Sequence, residues 1–67
     1  MLSSEPALRK PRVLVVDDSE LMRNLIIEII SDSIDFRVAG SASTGYEAIR
    51  MIHELNPDIV AEYRVDA

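Results

Sequence analysis

The chain opens its regular patterning at Val13-Leu14-Val15-Val16, four consecutive apolar residues between Arg12 and the acidic pair Asp17-Asp18. An unbroken apolar, mostly β-branched run of this length predicts a strand buried on both faces. From Glu20 the period changes. Met22, Leu25, Ile26, Ile29 and Ile30 fall at i, i+3, i+4, i+7 and i+8, the stripe of an amphipathic helix, with Glu20, Asn24 and Glu28 recurring on the outer side. Leu21 and Ile27 widen the apolar arc, so this helix is expected to pack on a sheet and on a neighbouring element. Asp18 or Ser19 can cap its first turn, where the helix dipole also favours Glu20. Ser31-Asp32-Ser33 ends it.

Phe36 to Ala42 alternates large and small side chains and predicts a second strand, with Phe36 and Val38 on one face and Arg37 pointing away. Thr44, followed three residues later by Glu47, fits a capping box opening a second helix. Ala48, Ile49, Ile52 and Leu55 form the predicted apolar stripe of that helix, while Met22 and Met51 are read as packing residues. Asn56-Pro57 stops the helix, because proline can neither continue it nor donate to it. Asp58 to Ala61 begins a third strand. The order β-α-β-α-β, with helices long enough to cross over, predicts a parallel sheet with right-handed connections. The most apolar strand belongs in the middle, giving the spatial order 2-1-3. The fold class is therefore α/β, the first half of a doubly wound sheet. Residues 1–11 hold two prolines, two serines and no period. They are expected to form a flexible leader, with Arg9, Lys10 and Arg12 as solvated charge.

A length of 67 residues allows one domain, and a domain of about 60 residues buries only roughly 60% of its unfolded surface. Stability is therefore expected to be marginal. The net charge of −5 argues against a nucleic-acid partner, which would need clustered Lys and Arg, and suits a cation or a basic surface instead. There is no cysteine, which excludes disulfides, thiolate metal sites and cysteine nucleophiles. The first residues lack the apolar core of a signal peptide, and no apolar run approaches the ~20 residues of a membrane-spanning helix. A cytoplasmic location without a membrane partner is the expectation. His53 falls off the apolar stripe and reads as a surface residue. Ser19 has no partner histidine, which removes a serine-hydrolase reading, and Thr44-Gly45 reads as a helix start and not a phosphate loop.

The candidate chemistry sits in Asp17 and Asp18. Open α/β sheets keep their sites at the carboxyl ends of the strands, where these two acids stand. The run Val13 to Arg23, with Ala42-Ser43-Thr44-Gly45-Tyr46-Glu47-Ala48 and Leu55-Asn56-Pro57-Asp58-Ile59-Val60, resembles the start of a response-regulator receiver domain of the CheY-like superfamily. Within it, the chain is most similar to the receiver half of chemotaxis protein-glutamate methylesterases. The resemblance runs from Arg12 to about Ala61 and implies a flavodoxin-like fold, with residues 12–67 as a partial receiver domain. It also implies a phosphorelay role. Two acids, here Asp17 and Asp18, would hold Mg²⁺, and a third aspartate ending strand three would accept a phosphoryl group from a histidine kinase.

That third aspartate is missing. Carried forward from Asn56-Pro57-Asp58, the acceptor position falls on Tyr63, and Glu62 stands where the family has an apolar residue. Asp66 lies three residues later and on the opposite face of a continuing strand, which makes it a poor substitute. The resemblance therefore implies a receiver-like module of two-component chemotaxis signalling that takes no phosphoryl group, is not an enzyme, and binds Mg²⁺ weakly. Its implied partners are a histidine kinase or another receiver. Two alternatives stand beside it: the amino-terminal fragment of an interrupted methylesterase, and a phosphoacceptor using Asp66. A three-strand piece is further expected to leave strand three with an open edge and helix faces uncovered, so that the isolated chain is poorly folded or self-associates.

Overall fold

The computed structural model describes residues 9–62. Five elements follow in the order β1 (Arg12–Val16), α1 (Glu20–Asp32), β2 (Arg37–Ala42), α2 (Gly45–Leu55) and β3 (Ile59–Glu62). The three strands form one sheet in the order β2-β1-β3, and β1 pairs in parallel with both neighbours. This is the first half of a flavodoxin-like, doubly wound sheet, with the most apolar strand at its centre.

The core is small and is built around β1. Val13, Leu14, Val15 and Val16 are all buried, and Leu14 and Val15 are completely so. Successive side chains of a strand point to opposite faces. Leu14 and Val16 join Ala42 and Ala48 in one cluster, closed by Met51 and Leu55 of α2. Val13 and Val15 therefore serve the other face. Both helices pack on β1 and β2. Among the described residues β3 pairs with β1, and Ile59 and Val60 are exposed on it.

Two helix faces differ from the sequence expectation. In α1 the half-buried apolar residues are Met22, Ile26, Ile27 and Ile30, whereas Leu21, Leu25 and Ile29 are exposed, Leu21 by 78%. Leu25 and Ile29 thus leave the expected stripe and Ile27 enters it. The helix is apolar around more than half its circumference, so periodicity alone does not fix which row meets the sheet. In α2 the inward row is Ala48, Met51 and Leu55, while Ile49 and Ile52 point outward. Gly40 explains that phase. A β-carbon there would lie 2.9 Å from Leu55 Cδ1 and 3.0 Å from Met51 Cε, so the absent side chain makes the room these two fill.

Strand β2 also departs from plain alternation. Val13 pairs with Val38 but Leu14 pairs with Gly40, which leaves Ala39 as an extra residue in a bulge. The shift brings Gly40 under α2 instead of a larger side chain. At the amino ends of the strands, Arg12 is not the solvated charge expected of it. Its N–H donates to Asp58 Oδ2 at 2.7 Å and its Nη1 donates to the Asn56 carbonyl at 3.1 Å, while the Asp58 N–H donates back to the Arg12 carbonyl at 2.9 Å. Asn56 itself adopts the left-handed conformation (φ 49°) that ends α2, immediately before Pro57. The helix stop and the start of β3 are thereby clipped to β1. Among the described residues no helix is long and apolar enough to cross a membrane.

Candidate functional site: the acidic corner at the carboxyl end of β1

Strand β1 ends in a turn that is itself a piece of hydrogen-bonded architecture. The Asp17 N–H donates to the Ala42 carbonyl at 3.1 Å, carrying the β1–β2 ladder one residue past the strand. Asp17 Oδ1 accepts from the Ser19 N–H at 2.9 Å, an Asx turn that swings the chain from the sheet into α1. Ser19 is the N-cap, and its Oγ accepts from the Met22 N–H at 3.2 Å, which decides between the two expected caps. Arg23, one turn into α1, donates from Nη1 to the Asp17 carbonyl at 2.9 Å.

The two acids have different environments. Asp17 is buried, 7% exposed, and its Oδ2 has no hydrogen-bond partner. Asp18 is exposed. A buried carboxylate oxygen left without a donor is costly, so its retention calls for a physical reason. A hard cation supplies one: Mg²⁺ takes oxygen ligands, keeps several waters, and needs only one or two carboxylates from the protein. The donor chemistry of Asp17 and Asp18 suits such an ion. Among the described residues no group of three or more His, Asp or Glu side chains comes together for a closed metal cage.

Opposite Asp17, β2 runs into α2 through a second capped turn. The Glu47 N–H donates to Thr44 Oγ1 at 3.0 Å, as the capping-box spacing predicts. The return half differs. Glu47 Oε1 accepts from the Ser43 N–H at 2.8 Å and from Ser43 Oγ at 3.2 Å, one residue earlier than the usual box. These bonds hold the Glu47 carboxyl below its ordinary value, the Ser43 N–H contributing most, then Ser43 Oγ, with Arg50 and Arg23 adding favourable charge. A carboxylate whose folded value is depressed stabilises the fold above its unfolded value and loses that contribution as pH falls through the folded one. Wild type should therefore lose stability relative to Glu47→Gln as acid titrates this group, and thermal melts of both proteins across the acidic range check it. Parallel curves would show that the Ser43 bonds do not discriminate the charged form.

Glu62 ends β3 in register with Val16, which brings the carboxyl end of β3 beside that of β1. Tyr63 and Asp66, the expected acceptor position and its substitute, lie outside the described residues. His53 is exposed in the last turn of α2, as expected of a surface residue. Sequence reasoning passed over Arg23. The available signal was a lone base one turn after the cap, on the side of the helix that carries Ile27.

A parallel β-α-β-α-β segment in the order β2-β1-β3, with an acid pair at the carboxyl end of its central strand, defines a receiver-type α/β unit. The relatives place it further. The chain is 49% identical over 49 residues to a protein-glutamate methylesterase/protein-glutamine glutaminase of Bacillus licheniformis, covering 73% of this chain and 14% of that protein. A Pyrococcus abyssi protein of the same name is 48% identical over 52 residues, 78% of this chain and 14% of its own length. Chemotaxis protein CheY of Halobacterium salinarum is 49% identical over 49 residues, 73% of this chain and 39% of that protein. No protein-family model matches. Over about three quarters of its length the chain is similar to the CheY-like receiver domains of chemotaxis proteins. It spans about 14% of the length of the methylesterases and 39% of CheY, and the matched part of the methylesterases is their receiver portion. The 67 residues hold no methylesterase catalytic domain.

Proposed function

We propose that this chain acts as a receiver-like binding module of two-component chemotaxis signalling that takes no phosphoryl group. The observation that carries the reading is Tyr63, the residue directly after β3, at the position where the family supplies its acceptor aspartate. A phenol with a pKa near 10 is a poor nucleophile without an adjacent base. Asp17 and Asp18 would hold Mg²⁺ weakly, through the unpartnered Asp17 Oδ2 and the exposed Asp18 carboxylate. When bound, that ion supplies charge neutralisation for phosphoryl oxygens. The residues of the chain do the rest: the Asx turn aims the Asp17 carboxylate, and Ser19 fixes the start of α1 beside it.

The partners that suit this module are a histidine kinase or another receiver, met in the cytoplasm through the acidic corner and the outward face of α1. The exposed row Leu21, Leu25 and Ile29 gives that face apolar contact surface, and β3, which among the described residues has a strand partner on one side, favours self-association. Neither nucleic acid nor membrane suits a chain with a net charge of −5, whose 12 acidic residues outnumber its 7 basic ones. The test is incubation of the 67-residue chain with a small acyl phosphate and Mg²⁺, followed by intact-mass measurement. The expected mass is unchanged; a phosphoryl adduct overturns the reading, and peptide mapping to Asp66 would support the substitute-acceptor alternative.

A second reading, that these residues are the receiver end of a methylesterase gene product, is favoured by the matches to methylesterases, which use 14% of those proteins. Sequencing the coding DNA beyond Ala67 tests it. A following segment encoding a hydrolase domain, in any frame, would establish it, and its absence would remove it.

A further inference from the structure

We propose that Arg23 is a built-in counter-cation of the acidic corner that competes with a bound divalent metal ion and so sets the corner's metal affinity. The inference rests on the reading that Asp17 and Asp18 hold such an ion, and it concerns a residue that reading does not use.

The geometry has three parts. First, the guanidinium is held in place. Its Nη1 donates to the Asp17 carbonyl at 2.9 Å, and the Arg23 N–H donates to the Ser19 carbonyl in the first turn of α1. Arg23 is half-buried, so its charge is screened less than that of a solvated side chain. Second, the residue it binds is the one with the unsatisfied carboxylate. Asp17 Oδ2 is buried with no donor, although Oδ1 of the same carboxylate is engaged by the Ser19 N–H. The charge on Asp17 is therefore left to the field around it, and a guanidinium bonded to the main chain of the same residue is a large local source of positive field. Third, the field reaches across the corner. Glu47, whose carboxyl is held down chiefly by Ser43, also feels Arg23 from the other side of the β1–β2 end.

A fixed positive charge in this place acts in two directions. Without metal it offsets part of the charge of the buried acid. Against an arriving divalent ion it repels, with twice the energy that a monovalent ion would meet at the same distance. A bidentate bond from Arg23 to the carboxylate would have removed Asp17 from metal binding altogether. The observed bond goes to the carbonyl instead, which leaves Oδ2 available while the charge stays close.

The test uses the full 67-residue chain and Mn²⁺ as the probe, with binding read from water-proton relaxation or electron paramagnetic resonance. Arg23→Gln removes the charge, and Arg23→Lys keeps it. Replacement of Arg23 by citrulline, feasible by chemical synthesis at this length, keeps both the shape and the N–H donor to the Asp17 carbonyl. That third variant isolates charge if the glutamine variant fails to fold. The expected result is Mn²⁺ binding about tenfold tighter in the neutral variants than in wild type, with Arg23→Lys close to wild type. Wild-type Mn²⁺ binding as tight as, or tighter than, that of the citrulline variant overturns the inference and leaves the metal reading standing. No Mn²⁺ binding by any of the four proteins overturns the metal reading, and the inference falls with it.

Discussion

Replacing Leu14 with alanine should abolish the cooperative thermal transition of the chain. Leu14 is fully buried at the centre of β1, and with Val16, Ala42 and Ala48 it forms the cluster on which α2 rests. Truncations of this kind cost about 2–5 kcal/mol, the lost transfer energy plus a term for the cavity left behind. Stability of roughly 0.05–0.15 kcal/mol per residue gives a chain of this size about 3–10 kcal/mol in all, of which the truncation removes a large part. The site also has little means of collapsing into the gap, because Gly40 beneath α2 has no side chain to move and Met51 and Leu55 already fill that space. Leu21→Ala is the matched comparison. Leu21 is 78% exposed on α1, and a change there should stay within about 0.5 kcal/mol. Circular-dichroism melts at one protein concentration decide the matter, since self-association would shift both proteins by mass action. A melt of Leu14→Ala within a few degrees of wild type would mean that β1 is not the organising strand.

That dependence on β1 explains what could be read in advance. The apolar run Val13–Val16 announced a central parallel strand, because only a strand covered on both faces tolerates such a run. The cap at Thr44, the narrowing of the first cap to Asp18 or Ser19, and the stop at Asn56-Pro57 were legible because each satisfies backbone groups within a few residues. What the sequence did not disclose depends on long-range partners. The inward row of α1 was ambiguous because Leu25 and Ile27 are equally apolar, and only the sheet below chooses between them. The bulge at Ala39 has no local signal, as it is a property of the β1–β2 register. Arg12 read as solvated charge because its partners, Asn56 and Asp58, lie more than forty residues away. The same limit applied to the acidic corner. Adjacent letters Asp17-Asp18 look equivalent, yet one side chain is buried with an oxygen that lacks a donor and the other is exposed.

That asymmetry makes Asp17→Asn the sharpest probe of whether the corner is maintained for binding or for folding. The amide keeps an oxygen to accept the Ser19 N–H, so the Asx turn survives. It replaces a buried, charged, unpartnered oxygen with a neutral group, and burying a neutral amide costs far less than burying a carboxylate. It also removes one acid from a neighbourhood that holds Asp18, Glu20 and Glu47. If Asp17 is retained for a cation and not for stability, the variant should be more stable than metal-free wild type by about 1–2 kcal/mol. For a domain this small each 1 kcal/mol corresponds to a rise of roughly 4–8 °C in Tm. Added Mg²⁺ should then raise the wild-type melting temperature by preferential binding to the folded state and leave Asp17→Asn unmoved. The two effects have opposite signs across the metal titration, so the melting curves converge, and cross where saturating metal contributes more than the buried charge costs. A lower Tm for Asp17→Asn in metal-free buffer would instead assign Asp17 to the turn, with the field of Arg23 and the first turn of α1 outweighing the missing hydrogen bond to Oδ2.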